Sequence, residues 1–276
     1  MREFTFSLNQ AEFIRESIAS GIRPDFRPLS RIRDISFSLR ETSCETILGN
    51  THVFTQISSE IVKPFPDRPQ EGLVYFSTSY SPLAAPDPAS LDTSSINRSI
   101  ERIFRETQCI ESEALCITSG KAVWKISIDT TVLNDDGNAH DACVLCTSCL
   151  LSHSKLPVVF IDESGQSIVQ PTDLQPPTAL PLFHLPVSVT MAVVEGMLVL
   201  DPTNEEEYIA DSTLSVSVNK HSELVELSFS GLPIDKALLT EGIGLAREQG
   251  LELLDRISKV VVEPNVAEDE DIDLNM

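Results

Sequence analysis

Five prolines (Pro171, Pro176, Pro177, Pro181 and Pro186) fall within residues 170–186, and a similar order of apolar patterns stands on either side of them. Proline fixes φ and removes a backbone donor, so this stretch continues neither a helix nor a central strand and reads as a seam. Before the seam, ISFSLR at 35–40 alternates apolar and polar, residues 44–61 read as two strands turning at Gly49-Asn50, and GLVYFSTS at 72–79 is a further strand. A helix is predicted over 94–106, capped by Ser94 or Ser95, because Ile96, Ile100, Ile103 and Phe104 form one stripe. A strand at 124–133 leads through the turn Asp135-Asp136-Gly137-Asn138 into a helix at 139–151 that is apolar nearly all round, which predicts its burial. After the seam, strands are predicted at 187–193, 197–200, 213–218 and 225–229, then helical spacing of apolar residues runs over 235–262. Strands followed by helices, twice, imply an α+β fold of two similar halves.

The expected organisation is a helix and arm over 1–34, one domain over 35–262 with halves of about 35–169 and 187–262, and a tail at 263–276. The leading helix spans about 9–19 and stops at Gly21. The arm carries Arg23, Arg27, Arg31 and Arg33 between Pro24 and Pro28, which favours an extended path, and Arg31 and Arg33 are expected to contact other subunits.

The hydrophobic content, 41% of 276 residues, is enough for a sizeable core, and no stretch approaches the ~20 apolar residues of a membrane span. The first residues are broken by charge and do not read as a signal peptide. Six cysteines, at 44, 109, 116, 143, 146 and 149, read as reduced thiols of a nuclear or cytosolic protein. The net charge of −22 excludes a broad electrostatic grip on nucleic acid. Residues 1–105 hold 12 basic and 13 acidic side chains, leaving 8 against 29 in the remainder, so any RNA contact is expected to be narrow and N-terminal. The tail carries six acids and no base, the pattern of solvated disorder.

Three segments together resemble the ribonuclease PH superfamily: GNTHV at 49–53 followed by Pro64 and Glu71-Gly72, EALCITSGKAVW at 113–124, and VLNDDGNAHDA at 132–142. Asn219-Lys220-His221 and His184 with Pro186 also fit, and the likeness spans about residues 10–260. Within the superfamily the pattern is similar to the non-catalytic ring subunits of the eukaryotic RNA exosome. The resemblance implies the ribonuclease PH-like fold (ribosomal protein S5 domain 2-like) and a hetero-hexameric ring of such subunits. It further implies S1/KH cap proteins, a separate catalytic nuclease, single-stranded RNA as the bound polymer, and residence in nucleus, nucleolus and cytoplasm. No cofactor, metal or membrane is implied.

Active members of the superfamily resemble Asp-Gly-Gly-Thr-Arg where this chain has Asp136-Gly137-Asn138-Ala139-His140, and their Thr and Arg hold phosphate. Gly137, Asn138, Ala139 and His140 therefore mark a degenerate phosphate site, since Ala139 has no hydroxyl and His140 no bidentate fork. Asp201 and Glu207 resemble the acidic pair of active relatives and keep open the alternative of a phosphorolytic 3′-to-5′ exoribonuclease, alone or with a ring partner. The plainer reading has Asp201 capping the turn at Pro202-Thr203 and Glu205 to Glu207 in a solvated first helical turn. Arg98, Arg102 and Arg105, at i, i+4 and i+7, present guanidinium groups on one helix face suited to an RNA backbone; the alternative is a solvated face pairing with Glu101 and Glu106. Cys143, Cys146 and Cys149 spread over roughly 120° of a helix and read as core packing, not as a metal cluster. His52, His153, His184 and His221 read as structural.

Overall fold

The computed structural model describes residues 7–82, 84, 93–161, 167–169 and 176–262. The acidic segment 263–276 lies outside the described residues, as does much of the proline-rich seam. Helix α1 (Leu8–Ala19) starts at Ser7, whose side chain accepts from the Gln10 amide. Strands β1 (Ile35–Leu39), β2 (Ser43–Leu48), β3 (Thr51–Val62) and β4 (Leu73–Tyr80) follow. Helix α2 (Thr93–Glu101) runs directly into a π-helical turn, Arg102–Glu106. Ser94 and Ser95 lie inside the helix, which begins at Thr93.

Strands β5 (Cys116–Thr118) and β6 (Ala122–Asn134) precede α3 (Ala139–His153). Two short ladders then pair β7 (Lys155–Leu156) with β10 (Thr178–Ala179), and β8 (Val159–Ile161) with β9 (Ser167–Val169). The second half contains β11 (Val187–Val194), β12 (Met197–Leu200), α4 (Asn204–Ile209), β13 (Ser212–Val218), β14 (Leu224–Gly231) and the 27-residue α5 (Lys236–Val262).

The first sheet runs β1-β2-β3-β6-β4, with β5 on β6; only β4 is parallel to its neighbour. The second, β12-β11-β13-β14, is wholly antiparallel. Helix α3 touches β2, β3 and β6 of the first sheet, β11 of the second and α5, which explains why its sequence is apolar on every side. One core joins the halves, from Phe37, Ile126 and Ile128 through Leu145 and Leu150 to Val189, Leu214 and Leu253. A smaller cluster of Ile14, Ile18, Ala192, Val194, Val199 and Ile209 seats α1 on the second half. The arm between α1 and β1 is thereby held at the turn joining β12 to α4, where the site lies.

Candidate functional site

Gly137 sits at φ +89 in the turn between β6 and α3, and a Cβ there would meet the Asn204 amide nitrogen at 2.4 Å and the Thr203 carbonyl carbon at 2.5 Å. Both obstacles are backbone, so only glycine lets this turn approach the start of α4. Thr51 fixes the turn from the other side, donating its hydroxyl to the Gly137 carbonyl at 2.7 Å. Asn138 follows in the left-handed region, at φ 55. Its amide N–H donates to Glu207 Oε1 at 2.6 Å, and its Nδ2 donates to Asp141 Oδ2 at 3.0 Å and Asp201 Oδ1 at 2.7 Å. Asn138 Oδ1 is buried with no partner; turning the amide over would set that oxygen against two carboxylates, which fixes its orientation.

The start of a helix ordinarily offers N–H groups to a bound anion. At α3 the protein's own carboxylates take that place, with Glu207 on the Asn138 amide and Asp141 in the first turn. Asp141 is also tied to β11, accepting from the Thr190 amide at 2.6 Å and the Thr190 hydroxyl at 2.7 Å.

Asp201, at φ 47 and 2% exposed, is neutralised from the arm. Arg33 donates Nε to Oδ2 and Nη2 to Oδ1, both at 2.8 Å, and its backbone amide donates to Oδ2 at 2.8 Å. The same guanidinium reaches the carbonyls of Asp136 at 3.1 Å and Gly137 at 3.0 Å. Its stem crosses Gly49, where a Cβ would lie 2.6 Å from Arg33 Cδ, so the glycine of GNTHV makes room for this arginine. Arg27 adds Nη1 to Asp201 Oδ2 at 3.2 Å. Burial alone would raise the Asp201 pKa, but the hydrogen bonds and charge of Arg33, with the Asn138 amide, hold it below the usual carboxylate range.

Arg23 is fully buried and grips Glu206, which also closes a capping box with Thr203 at the start of α4. These contacts correct two sequence expectations. Arg33 faces inward and makes no exposed surface for another subunit, whereas Arg31 is exposed beside Asp34. Thr203, not Asp201, is the cap, and of the three glutamates only Glu205 is exposed, because Arg23 draws Glu206 inside and the Asn138 amide engages Glu207.

The structure brings Asp201 and Glu207 together with Gly137 and Asn138 through the Asn138 side chain and amide. Ala139 is buried. His140 points elsewhere: its Nε2 lies 2.8 Å from Ser99 Oγ and its Nδ1 3.2 Å from Asp141 Oδ1, with donor and acceptor roles set by the tautomer. Ser99 in turn donates to Glu226 Oε2 at 2.9 Å, and Glu226 pairs with Arg102 at 3.2 Å. The ring occupies the sequence position of the relatives' arginine but spends both nitrogens inside the protein.

Arg98, Arg102 and Arg105 are all exposed. The π turn changes the helical spacing between Arg98 and Arg105 from that of a regular α-helix. Arg102 meets Glu226 of β14, in place of the expected Glu101 or Glu106, while Arg105 borders a cavity with Phe65, Arg68 and Tyr75 that sequence reasoning missed. The signal for it is faint: two aromatic residues and Arg68 near the connection from β3 to β4, with Arg105 distant in sequence.

The cysteines of α3 are buried, and Cys146 donates to the Cys44 carbonyl at 3.2 Å. Burial holds the Cys143 and Cys146 thiols well above their usual pKa and pushes Cys109 up to about 12. Among the described residues no His, Cys, Asp and Glu group has metal-holding geometry. His184 lies 3.2 Å from Thr107 Oγ1, and His52 contacts Glu45.

Residues 25–157 match the description "3′ exoribonuclease family, domain 1" and residues 184–249 its domain 2. "Exosome complex component RRP45" of Danio rerio is 35% identical over 94% of this chain and 64% of its own length. The Arabidopsis thaliana protein "Exosome complex component RRP45A" is 31% identical over 82% of this chain and 76% of its own length. The Schizosaccharomyces pombe component rrp45 is 30% identical over 83% and 81%. The chain thus spans less than two thirds of the zebrafish relative, and 54% of the human one. A solved structure titled "archaeoglobus fulgidus exosome with RNA bound to the active site" superposes with a TM-score of 0.77 at 26% identity, covering 89% of this chain and 96% of that one.

Proposed function

This chain belongs to the 3′ exoribonuclease family and has its two-domain ribonuclease PH fold, and from that premise we propose that it is a ring subunit of an RNA exosome that performs no phosphorolysis itself. It supports assembly and lines the RNA path in 3′-to-5′ processing and decay: rRNA maturation, RNA surveillance and mRNA turnover. Its partners are other ribonuclease PH-like subunits, S1/KH cap proteins and a separate nuclease, in nucleus, nucleolus and cytoplasm.

The observation that carries the non-catalytic reading is the Arg33–Asp201 fork. Phosphorolysis requires an orthophosphate dianion to be gathered by convergent donors. Here the guanidinium nearest the acidic pair is bound to Asp201, and the Asn138 amide is bound to Glu207. An incoming dianion would meet Asp141, Asp201 and Glu207 with no vacant cation among them, a repulsive encounter in a poorly solvated site. Asp201 and Glu207 do converge on Asn138, which is what the alternative of a phosphorolytic enzyme needs, but their oxygens are already committed to holding the turn.

RNA contact is assigned to Arg98, Arg102 and Arg105, on the part of the chain with least net negative charge, and such backbone contacts position a strand without reading it. Purification of the tagged full-length chain from its own cells tests the assembly. Stoichiometric co-purification with other ribonuclease PH-like chains is expected; recovery as a free monomer contradicts it.

A further inference from the structure

A cavity of about 420 Å³ opens between the β3–β4 connection, the start of β4 and the π turn after α2. Its volume falls in the range of small-ligand sites, roughly 300–1,000 Å³. Phe65 and Tyr75 stand at its edge, 54% and 42% exposed, an unusual display for two rings on one opening. Phe104, which also lines the cavity, is buried and stacks on Phe76 with centroids 5.5 Å apart.

The backbone around the cavity is irregular in a way the rest of the helix is not. The π turn ends in Thr107, and Gln108 then takes φ 55, a left-handed conformation that a non-glycine side chain adopts at a cost. Widened turns of this kind recur where a helix is shaped for a ligand. Of the two arginines on that turn Arg102 is held by Glu226, whereas no ion pair engages Arg105 among the described residues, and Arg68 across the cavity holds Glu71 at 3.2 Å.

The geometry points to a nucleobase pocket: one unstacked base of single-stranded RNA enters the cavity, stacks on Tyr75 or Phe65, and leaves its flanking phosphate on Arg105. Aromatic faces with a guanidinium beside them are the combination that holds single strands. Asp67, Glu71 and Gln108 are among the lining residues, and their oxygens can accept from an exocyclic amine, which matches adenine, guanine or cytosine better than uracil. The inference rests on the RNA-path reading above and goes beyond it: the path grips a base at one point where elsewhere it follows the backbone.

The test uses the assembled ring and an oligo(A) strand in which a single abasic nucleotide is moved along the sequence. With the unsubstituted chain, one register is expected to bind roughly tenfold more weakly than the intact strand. Tyr75→Ala or Phe65→Ala abolishes that difference, and a uridine at the same register reproduces part of it. Arg105→Ala weakens intact and abasic strands alike. A flat abasic scan with the Arg105 effect intact overturns the base pocket and leaves the RNA path standing; no effect of Arg105→Ala on either strand overturns the RNA path itself. Where the Ala variants fail to join the ring, 8-azidoadenosine at the same register of the unsubstituted complex provides the second readout. A photo-crosslink mapped to Phe65, Tyr75 or Gln108 supports the pocket. A crosslink only to other chains, with a partner's peptide chemically cross-linked to Phe65–Tyr75, overturns it.

Discussion

Arg33 and Arg105 carry the same guanidinium and serve opposite ends. Arg33 is 8% exposed and spends its fork on Asp201 and two turn carbonyls, whereas Arg105 projects at a cavity mouth without an acidic partner among the described residues. The difference separates two uses of charge in one chain: at the centre it is internal and holds the halves and the arm together, and on α2 and its π turn it faces outward. Each region can be probed without disturbing the other.

The largest effect is expected from Arg33→Ala, which leaves a buried carboxylate against turn carbonyls and removes about 3–5 kcal/mol of stability by denaturant titration. A loss under 1 kcal/mol would erase the contrast between the two arginines. Gly137→Ala comes next, at about 2–3 kcal/mol, because its Cβ meets backbone of Thr203 and Asn204 that cannot step aside. Asp201→Asn costs about 2 kcal/mol at neutral pH. The sign of its pH dependence follows from the depressed pKa. The carboxylate stabilises the folded state fully above its ordinary value of 3.8 and loses that contribution as pH falls from there through the lowered folded value, so parent and variant converge in acid. A gap that widens on acidification contradicts the pairing with Arg33. The smallest stability change belongs to Arg105→Ala, within about 0.5 kcal/mol, while the ring's RNA affinity drops several-fold and its salt dependence becomes shallower.

What was legible in the sequence follows its periodicities. The main strands and α3 were readable because alternation and all-round apolarity are local signals, and α5 because its stripe persists over many turns. β5 and β7 to β10, with two or three residues each, are too short to show a period. The π turn was invisible, since the same Ile and Phe spacing suits an α helix. At the centre, the motifs singled out Asp201, Glu207 and the turn at 137–140, and Asn138 does bring the two acids together, yet the arginine that holds Asp201 lies 168 residues away and no local pattern announces it. Arg31 and Arg33 were both expected at subunit contacts; Asp201, in the turn after β12, draws Arg33 inward as Glu206 of α4 draws in Arg23, while Arg31 stays exposed.

Whether the centre can still use orthophosphate is directly measurable. The purified chain, alone and with its ring partner, is incubated with oligo(A) and phosphate, and released nucleoside diphosphate is quantified. The filled site predicts no release attributable to this chain and no change on Asp201→Asn; ADP release that requires Asp201 would contradict it.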